Sequence, residues 1–184
     1  MFKNLRKVDV WMVRKIKRLH NRTNNRIMAV ITMLGTGGLI WFVMCVPFFF
    51  FENHIDTAIN IPFALLIAWL VGEITIKRCV GRIRPSEQLP EEEQIIKRPK
   101  YYSFPSGHSA SSFSVVAVVI VRCNAYIIIP ALIMAILIAF SRLYLRVHYF
   151  TDVLAGVIVG FVCGFASVSM FDSITKNILQ ITLL

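Results

Sequence analysis

Between two long apolar runs the chain carries Ser141-Arg142-Leu143-Tyr144-Leu145-Arg146-Val147-His148-Tyr149-Phe150-Thr151-Asp152. His148 and Asp152 stand four residues apart, which on a helix places them on one face, one turn from each other. A carboxylate so placed can hold one ring nitrogen of the histidine and leave the other free to attack an electrophile. Arg142 adds a planar cation of the kind that grips phosphate oxygens in pairs. Two further clusters carry the same kind of chemistry. Lys77 is followed after six residues by Arg84-Pro85, and Pro105-Ser106-Gly107-His108 opens another apolar run. Serine is a favoured helix cap, the free N–H groups of a first helical turn bind anions, and glycine lets a phosphate approach the backbone. His108, next in line, is placed to give a proton to a leaving oxygen. Phosphoryl transfer is the chemistry that uses all of these groups together.

The elements that must position them are membrane helices. The chain has 184 residues, of which 57% are hydrophobic, and these are bunched rather than spread by periodicity. Residues 27–51, 55–76, 104–121, 125–140 and 150–171 are nearly free of charge, with Asp56 and Glu73 the exceptions in the second run. Each run is near the roughly 20 residues needed to cross about 30 Å of hydrocarbon. The expected fold is therefore an all-α polytopic membrane bundle of about five spans, forming a single domain over residues 1–184. Residues 1–26 are expected to be a basic amphipathic helix, 27–171 the transmembrane core and 172–184 a tail. In the N-terminal segment Leu5, Val8, Met12, Ile16 and Leu19 recur at spacings of three and four, with Lys3, Lys7, Arg14, Lys17 and Arg18 largely off that stripe. Such a helix can lie in the headgroup layer of a membrane. Gly35, Gly37 and Gly38 read as close helix packing in lipid. Residues 86–103, acidic at Glu87 and Glu91–Glu93 and then basic, read as a solvated, mobile connection, with a lid over the site as the alternative.

The formal net charge is +10, but its distribution points to a membrane and away from nucleic acid. Nine basic residues precede the first span, seven lie between the second and third, and Arg142 and Arg146 lie between the fourth and fifth. With five spans all of these fall on one side, leaving only Arg122 and Lys176 on the other. The positive-inside rule makes the site-bearing face, shared with the N-terminus, cytoplasmic. Arg78, Arg82 and Arg146 are expected to be anchors that snorkel at span ends. Glu73, four residues before Lys77, is expected to pair with that lysine and position it. Cys45, Cys79, Cys123 and Cys163 have neither metal-ligand spacing nor a disulfide pattern. The basic N-terminus also runs too long before the first apolar run for a cleavable signal peptide.

Taken together, the three clusters resemble the signature motifs of the membrane-bound type 2 phosphatidic acid phosphatase superfamily. Lys77 to Pro85 fits the first motif, Pro105 to His108 the second, and Ser141 to Asp152 the third. The resemblance implies that His148 attacks phosphorus and forms a phosphohistidine, that Asp152 holds its other nitrogen, and that His108 protonates the leaving group and then activates water. It implies that Lys77, Arg84, Ser106, Gly107 and Arg142 bind the phosphate oxygens, with no metal and no cofactor. The implied substrate and partner is a membrane lipid phosphate or diphosphate. Undecaprenyl diphosphate stands first, in a bacterial plasma membrane, with phosphatidylglycerophosphate, phosphatidic acid and a lipid A phosphate as alternatives. A non-catalytic lipid-binding or transport protein of the same fold, and a phosphotransferase, are the rivals from other classes.

Overall fold

The computed structural model describes residues 2–51 and 54–182 and is helical throughout its ordered elements. Helix α1 is Phe2–Lys17, and α2 (Arg22–Gly35) follows after a short turn. Asn21 caps α2 by accepting from the Asn24 amide at 2.8 Å. Residues 22–26 thus belong to the first span and not to the amphipathic helix expected over 1–26. That span is also not one rod. Gly37 and Gly38 have φ of +61° and +75°, so the helix breaks there and resumes as α3 (Leu39–Phe48). Helix α4 spans Ile55–Val80 and widens into a π-helical turn over Leu70–Ile76. Helices α5 (Gly107–Arg122), α6 (Ala125–Tyr144) and α7 (Phe150–Thr182) complete the bundle. The segment expected as a tail from residue 172 therefore continues α7, and residues 183–184 lie outside the described set.

Among the described residues, four helical segments, Arg22–Phe48, Ile55–Val80, Ala125–Tyr144 and Phe150–Asn177, are long and apolar enough to cross a membrane. Helix α5 has only 16 residues, about 24 Å of rise. It is the central helix, with Val115, Val116, Val118 and Val119 fully buried, so its length need not match the hydrocarbon layer around it. Its closest neighbour is α7, and the contact is made by Gly156, Gly160 and Gly164. A Cβ on Gly156 would lie 2.5 Å from the Ser106 carbonyl oxygen, and one on Gly160 2.5 Å from that of Ala110. Close helix packing is thus the work of these three glycines and, as expected, of Gly35, where a Cβ would lie 2.7 Å from Ile138 Cγ2, whereas Gly37 and Gly38 make the break in the first span.

Helix α1 lies across the end of the bundle where α2, α5 and α7 begin. Its inner face is Asp9, Met12 and Ile16; Val8, Trp11 and Leu19 face outward. The expected apolar stripe is therefore split between protein and surroundings, and the side chains of Lys3 and Leu5 lie outside the described residues. Residues 86–103 are fastened to the bundle. Glu93 accepts from Lys17 of α1 at 2.8 Å and from Arg146 at 2.9 Å, and these cations hold its carboxyl below the usual range. The Arg98 guanidinium donates to the Leu89 carbonyl at 2.9 Å, and the Ser103 amide to that of Arg82 at 2.8 Å.

Candidate active site

A cavity of about 600 Å³ opens at the end of the bundle that carries α1. One end is cationic. Lys77, Arg84 and Arg142 line it, each at most 5% exposed, together with His108, His148 and Gly107. Lys77 is paired with Glu73 one turn earlier. The end of that carboxylate packs against Gly107, and a Cβ there would have to displace it. The other end is apolar, walled by Phe42, Leu65, Leu66, Ala68 and Trp69 and by the Gly37–Gly38 break. Phe42, Leu66 and Trp69 are about half exposed on the outer surface of the bundle. The cavity therefore runs from buried cations to the face that lipid would cover. Pro99 and Tyr101 of the 86–103 connection form part of its wall.

His148 lies in the turn between α6 and α7, where Arg146 adopts a φ of +54°. Helix α7 starts two residues later because Asp152 Oδ2 accepts from the Tyr149 amide at 2.9 Å, the half of a capping box that an acid in the first turn supplies. Asp152 Oδ2 stands 3.7 Å from His148 Nδ1, beyond the roughly 3.2 Å limit of an N–H···O bond, and Nδ1 has no hydrogen-bond partner among the described residues. The expected histidine–carboxylate contact is thus aimed but open, and His148 is on a turn rather than on a shared helix face. Nε2 of His148 faces Arg84, whose Nη1 donates to it and to the Val147 carbonyl, both at 2.9 Å. Burial, then Arg142, Arg84 and Lys77, hold the His148 imidazolium well below the usual histidine range. The ring is therefore a neutral base at neutral pH.

The remaining groups come from the first span. Arg142 Nη1 donates to Thr32 Oγ1 at 2.5 Å, while its buried Nε has no hydrogen-bond partner among the described residues. Thr36 Oγ1 lies 3.3 Å from His108 Nε2 and 3.1 Å from the Thr32 carbonyl. A single hydroxyl proton serves only one of these, so with Thr36 donating to Thr32 the Nε2 of His108 is the donor. Gly35 leaves room for the imidazole, since a Cβ there would lie 3.0 Å from His108 Cδ2.

Residues 57–176 match the PAP2 superfamily. The chain belongs to that superfamily. It is a PAP2 phosphatase, with lipid phosphatases among its relatives. It is 26% identical over 148 residues to an undecaprenyl-diphosphatase of Sulfolobus acidocaldarius, covering 80% of this chain and 71% of that protein. It is 28% identical over 174 residues to phosphatidylglycerophosphatase B of Bacillus subtilis, covering 85% and 79%. A decaprenylphosphoryl-5-phosphoribose phosphatase of Mycolicibacterium smegmatis is 41% identical over 83 residues, 45% of this chain and 43% of that one. The fold is that of the crystal structure of Aquifex aeolicus LpxE, with a TM-score of 0.75 at 23% identity, covering 88% of this chain and 94% of that one. The transmembrane PAP2-type phosphatidylglycerolphosphate phosphatase of Bacillus subtilis has the same TM-score and identity, with coverage of 93% and 88%.

Seven of the eight site residues expected from the PAP2 resemblance converge: Lys77, Arg84, Gly107, His108, Arg142 and His148 line the cavity, and Asp152 stands behind His148. Ser106 does not reach it. Its fully buried hydroxyl accepts from the Ser109 hydroxyl at 2.9 Å and caps α5, so its contribution is to hold Gly107 and His108 in the first turn. Two expected anchors also have other duties. Arg82 Nη1 binds Asp152 Oδ1 at 2.6 Å and Nη2 binds Asp9 Oδ2 at 2.6 Å, with its guanidinium 4.1 Å from the Tyr149 ring centroid. Arg146 is buried and holds Glu93. Arg78 is exposed, as an anchor would be. Asp9, Thr32 and Thr36 lie outside the PAP2 segment, and the sequence reading missed them. Asp9 carried a signal: it is the one acidic residue before Glu52, and its spacing to Met12 and Ile16 is helical.

Proposed function

We propose that the protein hydrolyses a polyprenyl diphosphate, undecaprenyl diphosphate first among them, through a phosphohistidine on His148. The observation that carries this reading is the cavity, which joins a neutral buried imidazole and three cations to an apolar wall open to lipid. The headgroup would sit among Lys77, Arg84, Arg142 and the Gly107 backbone, while the tail leaves past Phe42, Leu66 and Trp69. Phosphate oxygens would draw off the Arg84 donor that now occupies His148 Nε2, freeing its lone pair as the substrate arrives. Nε2 then bonds to phosphorus, the bond to the leaving oxygen breaks with its electron pair, and His108 gives that oxygen a proton. As the ring becomes cationic, Asp152 closes on Nδ1 and stabilises it. His108 then takes a proton from water, which attacks phosphorus and releases phosphate and free His148. The prenyl diphosphate and prenyl phosphate named in two relatives favour such a substrate. Phosphatidylglycerophosphate is the second reading, favoured by the name of the Bacillus subtilis relative. We place the protein in a bacterial plasma membrane with its site on the cytoplasmic face, a sidedness that the charge distribution supports.

The test is purified enzyme against undecaprenyl diphosphate, phosphatidylglycerophosphate, phosphatidic acid and a lipid A phosphate, compared by kcat/KM with His148→Ala as control. A preference for the polyprenyl diphosphate supports the proposal. A preference for a glycerolipid phosphate replaces the substrate, and binding without turnover in the intact protein removes the reaction.

A further inference from the structure

The buried acid of α1 is the least expected charged group in the molecule. Asp9 is 1% exposed and is held from two sides. Its Oδ1 accepts from the Thr151 amide at 3.0 Å, and its Oδ2 accepts from the Thr151 hydroxyl at 2.7 Å and from Arg82 at 2.6 Å. The same guanidinium reaches Asp152 at 2.6 Å. One cation is therefore shared between two carboxylates, and the trio Asp9, Arg82 and Asp152 has a net charge of −1. Without Asp9 that charge would be zero. Arg82 would then neutralise Asp152 fully, and the carboxylate facing His148 Nδ1 would attract an imidazolium weakly.

We propose that Asp9 is a positioning residue for the phosphoryl transfer: by sharing Arg82 it leaves Asp152 anionic toward His148, and it ties the N-terminal helix to the catalytic turn. The inference rests on His148 being the nucleophile. It gives α1 a role in the reaction as well as at the membrane surface, because the helix that presents Trp11 and Lys15 outward presents Asp9 to the site. The charge that matters is contributed from outside the PAP2 segment.

Charge sharing and mere anchoring predict opposite outcomes in a double mutant. Asp9→Asn removes the charge while its side-chain oxygen can still accept from Thr151. The proposal expects kcat to fall about tenfold with KM within about twofold. Adding Arg82→Gln restores a net charge of −1 on the trio, so Asp9→Asn/Arg82→Gln should recover to within about threefold of the wild type. If Asp9 only anchors α1, the second substitution removes a further bond and the double mutant is worse than Asp9→Asn; that result overturns the proposal. So does unchanged kcat in Asp9→Asn. If Asp9→Asn alone does not fold, because its amide offers one acceptor to the three donors at Asp9, the double mutant is compared with Arg82→Gln instead, and a double mutant more than about threefold slower than Arg82→Gln overturns the proposal. His148→Ala is run beside them. Activity retained there removes the nucleophile assignment itself, whereas a dead His148→Ala with an unaffected Asp9→Asn removes the Asp9 proposal alone.

Discussion

Two pairs of helices flank the cavity, and glycine does opposite things in them. Between α5 and α7, Gly156, Gly160 and Gly164 let one backbone touch the next, against a stretch of α5 whose residues 112–119 are all buried. In α2 and α3, Gly37 and Gly38 interrupt the helix, and Gly37 has open space beside it. The first pair carries His108 and Asp152 and starts at Ser106, whose amide donates to the Asp152 carbonyl at 2.9 Å. The second pair carries Thr36, which meets His108, Thr32, which holds Arg142, and an apolar wall. A tightly packed unit thus fixes the groups that react, and a broken helix shapes the space a lipid tail must enter.

The largest effect expected concerns the packed side of this comparison. His148→Ala should lose on the order of 10⁴-fold or more in phosphate release, and adding Asp152→Ala should cost little further, because the two act as one unit. Next, Gly160→Val should destabilise the protein by about 3 kcal/mol. Gly37→Ala, strained only by its left-handed φ, should cost about 1 kcal/mol. Thermal unfolding in detergent checks both, and equal losses would break the contrast. Thr36→Val tests whether the broken span reaches the chemistry: kcat should fall several-fold with KM nearly unchanged. The smallest expected effect is on pH. Because burial, Arg142, Arg84 and Lys77 lower the folded pKa of His148, the ring stays neutral as pH falls through 6.5, its unperturbed value. The acid limb of kcat/KM that it sets should therefore lie below pH 6.5, and the same group lowers stability as pH drops from there toward its folded value. An acid limb above pH 6.5 would contradict the neutral, buried nucleophile.

The helical membrane class, the three clusters and the Glu73–Lys77 pair were legible in the sequence because each is local: apolar runs, cap residues and fixed spacings. The second role of Arg82 was not, since its partners Asp9 and Asp152 lie 73 and 70 residues away. Gly37 and Gly156 are the same residue in equally apolar surroundings, and only φ and the approach of a neighbour separate a break from a contact. His148 and Asp152 fit a helical spacing, yet the acid serves as the first-turn cap of α7, so the helix starts at Phe150 and leaves His148 outside it. The polar loop at 86–103 reads as free by composition, while Glu93 ties it to two cations distant in sequence.

The half-buried, half-lipid cavity has a consequence for what happens after catalysis. Its apolar end faces the side that lipid would cover and its cations are buried, so on the proposed reaction the two products part into separate phases, the lipid into hydrocarbon and phosphate into water. The dephosphorylated lipid diffuses away in the plane of the membrane, while phosphate dissolves in three dimensions. Re-encounter of both in one site then requires two independent arrivals from two solvents, and partition drives the cycle forward without any moving part.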